Sequence, residues 1–377
     1  MQKLGVGIIG CGNISAAYLR LGPLFKALDM RAVADINMDA ACARADEFGV
    51  RAETVDGLLA ADDIDVVVNL TIPDAHFAVT KRILEAGKHA YSEKPFVLTL
   101  AEGEELRALC AAKGLRVGSA PDTFMGGAHQ QARAMIDAGD IGRVVAGSAH
   151  VMSGGMEHWH PNPDFFFLPG AGPVLDIGPY YVTNLVQLIG PVKRVAALTS
   201  SANDTRTILT PGPRQGEKIP VKTPTNIHAL LEFEQGATIT MSTSWDVRAH
   251  RHAPMELYGT EGSLFVPDPN FFGGDLEAAA RDGKISMVTP WEHPFGVANE
   301  IKGDDHRANY RTAGLADMAQ AISEGRPHRC SLELALHAVD VMTAILQSGE
   351  TGSFVDLTTS CERPAPLAAS DAQDLLN

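Results

Sequence analysis

The sequence has no run of ~18 apolar residues, the length a helix needs to cross a bilayer. Its start, Met1-Gln2-Lys3-Leu4-Gly5-Val6, lacks the long apolar core and cleavage site of a signal peptide. Basic runs are absent too: 31 Lys and Arg stand against 46 Asp and Glu, a formal net charge of −15. A chain this acidic has no global field to draw in nucleic acid or anionic lipid. The five cysteines (Cys11, Cys42, Cys110, Cys330, Cys361) are odd in number, scattered, and form no CxxC pair. A cytoplasmic protein with reduced thiols is expected, with no membrane and no nucleic acid as partner. No internal repeat of fixed period is found. The 377 residues are 45% hydrophobic and 20% charged, the composition of a globular protein of two or three domains.

What is there begins with alternation. Short apolar runs at Leu4–Ile9, Arg31–Ala34, Val66–Leu70, His89–Ser92 and Leu115–Gly118 carry no polar face, so they read as strands buried on both sides of a parallel sheet. Between them lie helix-compatible stretches. One covers roughly 38–48, one starts near Ala75 and is closed by Gly87, and one opens on the capping box Thr99-Leu100-Ala101-Glu102 and is closed by Gly114. This is a doubly wound α/β domain over about residues 1–121. Farther on, 192–201, 226–235, 237–246 and 254–266 read as longer strands with polar alternation. Hairpin signals at Gln235-Gly236 and Gly259-Thr260-Glu261-Gly262 make them an open, mostly antiparallel sheet. Pro/Gly-rich loops are expected at 209–224 and 267–274, and helices at 312–324 and 332–348. A second domain therefore spans 122–360, and 361–377 reads as an extended or poorly ordered tail.

Gly10-Cys11-Gly12-Asn13-Ile14-Ser15 follows the first strand and opens a helix, with the spacing G-x-G-x-x-S. Gly10 allows the tight turn, Gly12 lets the backbone approach a pyrophosphate, and Ser15 is small enough for close helix–strand packing. Gly7 offers a competing frame. The residues Gly10 to Ile14 are thus candidates for holding phosphates at a helix N-terminus. A bare glycine turn without ligand is the plainer alternative. Asp35 ends the second strand, where a carboxylate accepts hydrogen bonds from ribose hydroxyls and repels a 2′-phosphate. The alternative for Asp35 is a turn or N-cap residue. Together on one βαβ unit the two features point to a dinucleotide. NAD is favoured over NADP, although one acidic residue does not decide it.

Glu93-Lys94-Pro95 stands at the carboxyl end of the fourth strand, the edge where open α/β sheets bind ligands. A lysine beside an oxidised nicotinamide has its pKa lowered and can accept a proton near neutral pH; the plain alternative is a surface lysine in a turn. Farther along runs Gly170-Ala171-Gly172-Pro173-Val174-Leu175-Asp176-Ile177-Gly178-Pro179-Tyr180. In order and spacing, these three segments resemble the glucose–fructose oxidoreductase/inositol dehydrogenase (Gfo/Idh/MocA) family. The third matches its G-G-G-x-x-x-D-x-G-x-H motif, with Ala171 for the middle glycine and Tyr180 for the histidine of many members. Tyr180 leans toward the tyrosine-bearing branch. The resemblance implies an N-terminal Rossmann domain and a C-terminal α/β domain with a large, mostly antiparallel open-faced sheet. It also implies a homodimer or homotetramer through that sheet.

Over 176–189, Asp176, Tyr180, Thr183, Asn184 and Gln187 fall on one helical face, with Asp176 at or near the N-cap. If that face looks into the cleft, Tyr180 exchanges a proton with a substrate hydroxyl beside Lys94, and Asp176 binds a second hydroxyl. The plain alternative is an N-capping aspartate and a tyrosine in a domain interface. Thr71, Pro73 and His76 match the family's cofactor-lining loop, with Glu93 and Lys94 beside the nicotinamide. Asp122, after the fifth strand, either reaches substrate or caps the next helix. Trp159, His160 and Asn162 lie on a polar–aromatic loop suited to stacking on a sugar and binding its hydroxyls. The pairs His158/His160 and His250/His252 lack the partners that would complete a zinc site, so no metal is expected.

The resulting expectation is an NAD(P)-dependent dehydrogenase or reductase acting on a CH–OH group of a polyhydroxylated small molecule (a sugar, sugar derivative or cyclitol). Lys94 and Tyr180 form its proton relay, with Asp176. Two other readings share these residues: a glycoside lyase or hydrolase that keeps its NAD and oxidises the sugar transiently, and a non-catalytic dinucleotide or sugar sensor.

Overall fold

The computed structural model describes residues 3–303 and 305–377; Met1 and Gln2, the first residues of the expected nucleotide domain, lie outside them. The chain forms two compact units. The first comprises Met1–Gly127, Glu292–Val339 and Pro364–Asn377, and the second Ala128–Trp291 and Asp340–Arg363. Two later segments thus return to the N-terminal unit, which the division at 121 and 360 does not foresee.

The first unit holds a six-stranded parallel sheet of β1 (Leu4–Ile9), β2 (Leu28–Ala34), β3 (Arg51–Glu53), β4 (Val66–Asn69), β5 (His89–Ser92) and β6 (Val117–Ser119). The order is β3-β2-β1-β4-β5-β6, so the direction of winding reverses between β1 and β4. Crossovers run through α1 (Asn13–Leu21), α2 (Met38–Phe48), α3 (Val55–Ala60), α4 (Pro73–Glu85) and α5 (Leu100–Lys113). The capping box forms as read: Thr99 Oγ1 accepts the Glu102 N–H at 3.2 Å and Glu102 Oε2 accepts the Thr99 N–H at 3.0 Å. Gly114 closes α5 in the left-handed region.

The second unit begins with α6 (Gly127–Ala138) and is built on a nine-stranded sheet. Its strands are β7 (Val144–Met152), β8 (Val192–Ser200), β11 (Asn226–Phe233), β12 (Thr238–Ser244), β13 (Met255–Gly259), β14 (Ser263–Val266), β15 (Glu277–Ala279), β16 (Ile285–Met287) and β19 (Val355–Asp356). All pairings are antiparallel except β7 with β12. One face is buried by α7 (Pro173–Asp176), α8 (Gly178–Ile189) and the second half of α10 (Leu332–Thr351), as the buried alternation Ile227, Ala229, Leu231, Phe233 along β11 records. A side module carries the ladder of β9 (Thr205–Thr207) and β10 (Lys218–Pro220) over its own core of Met156, Phe167, Ile208, Ile219 and Trp245. In the first unit, β17 (Glu300–Lys302) and β18 (Asp305–Arg307) precede α9 (Ala313–Glu324).

The C-terminal segment corrects one expectation. After an extended stretch it forms α11 (Ala369–Leu375), and Leu367, Ala372 and Leu375 are buried in the first unit. Arg329 donates to the Ala365 and Pro366 carbonyls, each at 3.0 Å, and the Asn377 N–H reaches the Leu24 carbonyl at 2.9 Å. The stretch before α11 is extended, as one of the two readings had it, but three apolar side chains and these bonds dock the tail rather than leave it poorly ordered.

Candidate active site

The glycine turn closes where the frame Gly10/Gly12 requires. Gly10 has φ +104°, and a Cβ there would stand 2.5 Å from the Leu70 carbonyl oxygen, so only glycine fits. At Gly12 a Cβ would meet nothing within 4 Å, which leaves an open cradle. Gly12 caps α1, and no side chain makes a capping hydrogen bond at that helix end, which leaves its first N–H groups available to an anion. Ser15 is buried and its hydroxyl turns back to the Gly12 carbonyl at 2.6 Å. Cys11 is a packing thiol: burial, with Asp35 nearby, pushes it up to about 11.

Asp35 serves the turn directly. Its Oδ2 accepts the Cys11 N–H and its Oδ1 the Asn37 N–H, both at 2.8 Å. Arg44 on α2 donates to the Gly12 carbonyl at 3.3 Å. Sequence reasoning missed Arg44, because only the packing of α2 brings it to the turn. It also missed Ile36, fully exposed directly after Asp35. An apolar side chain in that position is the one local signal it left unread.

At the next strand ends, buried Asn69 accepts the Thr71 hydroxyl at 2.7 Å and donates to the His76 carbonyl and the Thr80 hydroxyl at 3.0 Å each. The His76 ring is buried, with Nδ1 2.7 Å from the Pro95 carbonyl and Nε2 3.0 Å from that of Thr71. Burial lowers its pKa. His76 therefore ties the turn after β4 to the Glu93-Lys94-Pro95 turn rather than lining an open surface with its ring. Pro73 sits at the start of α4, as a first-turn proline should. Glu93 Oε2 accepts the Lys94 N–H at 3.0 Å, and Oε1 accepts the hydroxyl of buried Tyr18 at 3.1 Å. Lys94 itself is half-buried, and its peptide bond to Pro95 is cis.

Asp122 corrects an expectation. Rather than reaching outward, its buried carboxylate accepts the Thr312 and Gly314 N–H groups, both at 3.0 Å, and so caps α9. Burial raises it to about 6 against the opposing pull of the Gly314 bond.

In the second unit the single helix expected over 176–189 is two. Asp176 ends α7, Ile177 separates the pair, and Gly178-Pro179 starts α8, so Asp176 is not an N-cap. Tyr180 lies in the first turn of α8 at 7% exposure. The polar face below it does not line a cleft: Thr183, Asn184 and Gln187 are buried. Asn184 meets Nδ1 of buried His129 at 3.2 Å, and Gln187 donates to Asn184 at 3.0 Å. The missing signal was α6, whose His129 supplies a polar partner inside the core.

Trp159 is 61% exposed. His160 is half-buried between the rings of Trp159, Phe165 and Phe166 at 5.3–5.6 Å. Asn162 accepts from Arg214 at 3.2 Å. His252 stacks on His150 at 3.9 Å and on His250 at 6.1 Å. Among the described residues no three His, Cys, Asp or Glu side chains form a metal-holding group.

Residues 4–120 match the model of the oxidoreductase family with an NAD-binding Rossmann fold, and 129–265 match the GFO/IDH/MocA C-terminal domain. The chain belongs to the GFO/IDH/MocA family. It is an oxidoreductase whose N-terminal sheet is an NAD-binding Rossmann domain. Among family relatives, it is 32% identical to dTDP-3,4-didehydro-2,6-dideoxy-alpha-D-glucose 3-reductase of Streptomyces violaceoruber, over 86% of this chain and 88% of that one. It is 27% identical to levoglucosan dehydrogenase of Pseudarthrobacter phenanthrenivorans, over 95% of this chain and 99% of that one. The fold superposes on levoglucosan dehydrogenase in complex with NADH and L-sorbose with TM-score 0.80 at 22% identity, covering 95% of this chain and all of that chain. No described helix is long and apolar enough to cross a membrane.

Proposed function

We propose that this GFO/IDH/MocA oxidoreductase interconverts a secondary alcohol and a carbonyl on a sugar, sugar derivative or cyclitol. The observation that carries the reading is the open Gly12 cradle beside Asp35, on the same sheet edge as Glu93 and Lys94. Both relatives named above act, by their names, on sugar-derived compounds.

Gly10, Cys11, Gly12, Asn13 and Ile14 hold the pyrophosphate of the dinucleotide by their backbone, and Asp35 holds its ribose. When bound, NAD supplies the hydride acceptor or donor. In the oxidising direction the substrate loses a hydride from carbon and a proton from oxygen, leaving a carbonyl and NADH. Lys94 and Tyr180 take that proton, and Asp176 orients a second hydroxyl. Glu93 fixes the Lys94 backbone. Thr71 and Pro73 line the cofactor, and His76 sets the distance between the two turns. Trp159, His160 and Asn162 contact substrate.

In this proposal residues 1–121 supply the nucleotide-binding sheet, and the nine-stranded sheet within 122–360 supplies the substrate side. Leu198, Leu230 and Tyr258 stand exposed on the open face of the nine-stranded sheet, which supports a homodimer or homotetramer through that face. Five free cysteines support a reducing, cytoplasmic setting.

The test is NADH formation with aldoses, cyclitols and glycosides. Sustained reduction of NAD by one of them is expected. Release of an aglycone without net NADH would favour a redox-assisted lyase instead, and cofactor binding without any turnover a sensor.

A further inference from the structure

We propose that a cleft at the tip of the side module is a subsite for the non-reacting ring of a neutral glycoside. It rests on the sugar reading above and narrows it. The cleft encloses about 290 Å³ and is lined by Pro161, Asn162, Thr210, Pro211, Pro213 and Arg214. That volume is just below the usual range for drug-sized ligands, so it takes one ring rather than two.

The lining excludes anions. All five Arg214 N–H donors are used: Nε and Nη2 bind Glu217 at 2.7 and 2.9 Å, Nη1 and Nη2 bind Asp164 at 2.7 and 2.9 Å, and Nη1 also binds Asn162 Oδ1. Arg214 in turn holds both carboxylates below their ordinary range. Two carboxylates against one guanidinium leave the site net negative. A sugar phosphate or a nucleotide sugar finds no uncommitted cationic donor there. What remains is flat and offers no unpaired cation: three pyrrolidine rings, the face of the ion-paired guanidinium, and the Asn162 amide N–H groups left once its oxygen serves Arg214. Flat apolar surface with a few amide donors suits the C–H face and edge hydroxyls of a sugar ring, or an aromatic aglycone stacked on the guanidinium.

The cleft is tied to the Asp176 motif. The Phe166 carbonyl accepts the Gly172 N–H at 3.0 Å and the Leu168 carbonyl the Ala171 N–H at 3.2 Å, joining its loop to the start of α7. Trp159 and Phe165, exposed on the same loop, extend the apolar surface.

The test is isothermal titration of the NADH-bound protein with free monosaccharides, their phenyl glycosides and disaccharides, and a sugar 6-phosphate, across gluco, galacto, manno and xylo configurations. At least one glycoside is expected to bind roughly tenfold tighter than its parent sugar, and the phosphate to gain nothing. Pro213→Trp, which fills the cleft from an exposed position, should cut that preference at least ~5-fold, and Asn162→Ala should cut it by less. Unfolding curves of both variants confirm the fold. Glycosides that bind no tighter than free sugars, or a preference that survives Pro213→Trp, overturn the subsite while oxidation of free sugars still supports the oxidoreductase reading. A protein that neither binds nor oxidises any of these compounds overturns both.

Discussion

The Asp35 carboxylate accepts the Cys11 backbone N–H at 2.8 Å, so the residue at the end of β2 braces the glycine turn that follows β1. The group proposed to hold the ribose also shapes the cradle for the phosphates. Asp35→Ala removes both actions. A hydrogen bond to a charged group is worth about 2 kcal/mol, so affinity for NAD should fall roughly 30-fold. NADP should lose less, because the repulsion of its 2′-phosphate disappears and Arg44 already stands at Gly12. Fluorescence titration with NADH and NADPH reads the ratio. An unchanged preference would separate Asp35 from cofactor choice.

Lys94→Ala should lower kcat by roughly 10²–10⁴, the usual contribution of a positioned acid or base. Cofactor affinity should stay within a few-fold, since Glu93 fixes this turn through the Lys94 backbone N–H, which alanine keeps. Steady-state rates with a matched cofactor titration check both halves.

His129 makes stability fall in acid. Burial lowers it from 6.5 to about 4, with Nε2 2.8 Å from the Phe271 carbonyl and Nδ1 facing Asn184. The unfolded chain therefore binds a proton that the folded one refuses between these values. Stability is complete above the unfolded pKa and declines as pH drops toward the folded one, by about 3 kcal/mol for a shift of this size. Buried Asp122, raised to about 6, acts in the opposite direction across an overlapping window. Denaturant midpoints at several pH values for wild type and His129→Gln isolate the first effect: the variant should show a shallower acid decline.

Arg206 should prove a structural requirement of the side module. It donates to Glu157 Oε1 at 2.9 Å, also binds Asp246, and all three side chains are largely buried. Arg206→Met leaves two buried carboxylates uncompensated, at a cost of about 3–5 kcal/mol. A lower melting temperature, with faster hydrogen exchange over the Trp159 loop, is the expected result. An unchanged melting temperature would contradict it.

Much of this was legible in the sequence. The capping box, the glycine turn and β-branched β4 are local signals, and each formed where read. What escaped was set by partners distant in sequence. β3 is a three-residue edge strand with no apolar run to announce it. β7 carries Gly147, Ser148 and His150 and earns its place only between β12 and β13. The polar residues of α8 looked like a cleft-lining face because sequence periodicity shows amphipathicity but not which side is covered. Asp122 was read as substrate-facing or as the cap of the next helix; the helix it caps begins nearly two hundred residues later.

The most direct test follows NADH absorbance while wild-type and Lys94→Ala proteins meet a panel of aldoses, cyclitols and glycosides. Sustained NADH formation by the wild type with at least one compound, reduced at least ~100-fold in the variant, is the predicted result. Equal rates in the two proteins would contradict the assignment of Lys94 as proton acceptor, and with it the central claim.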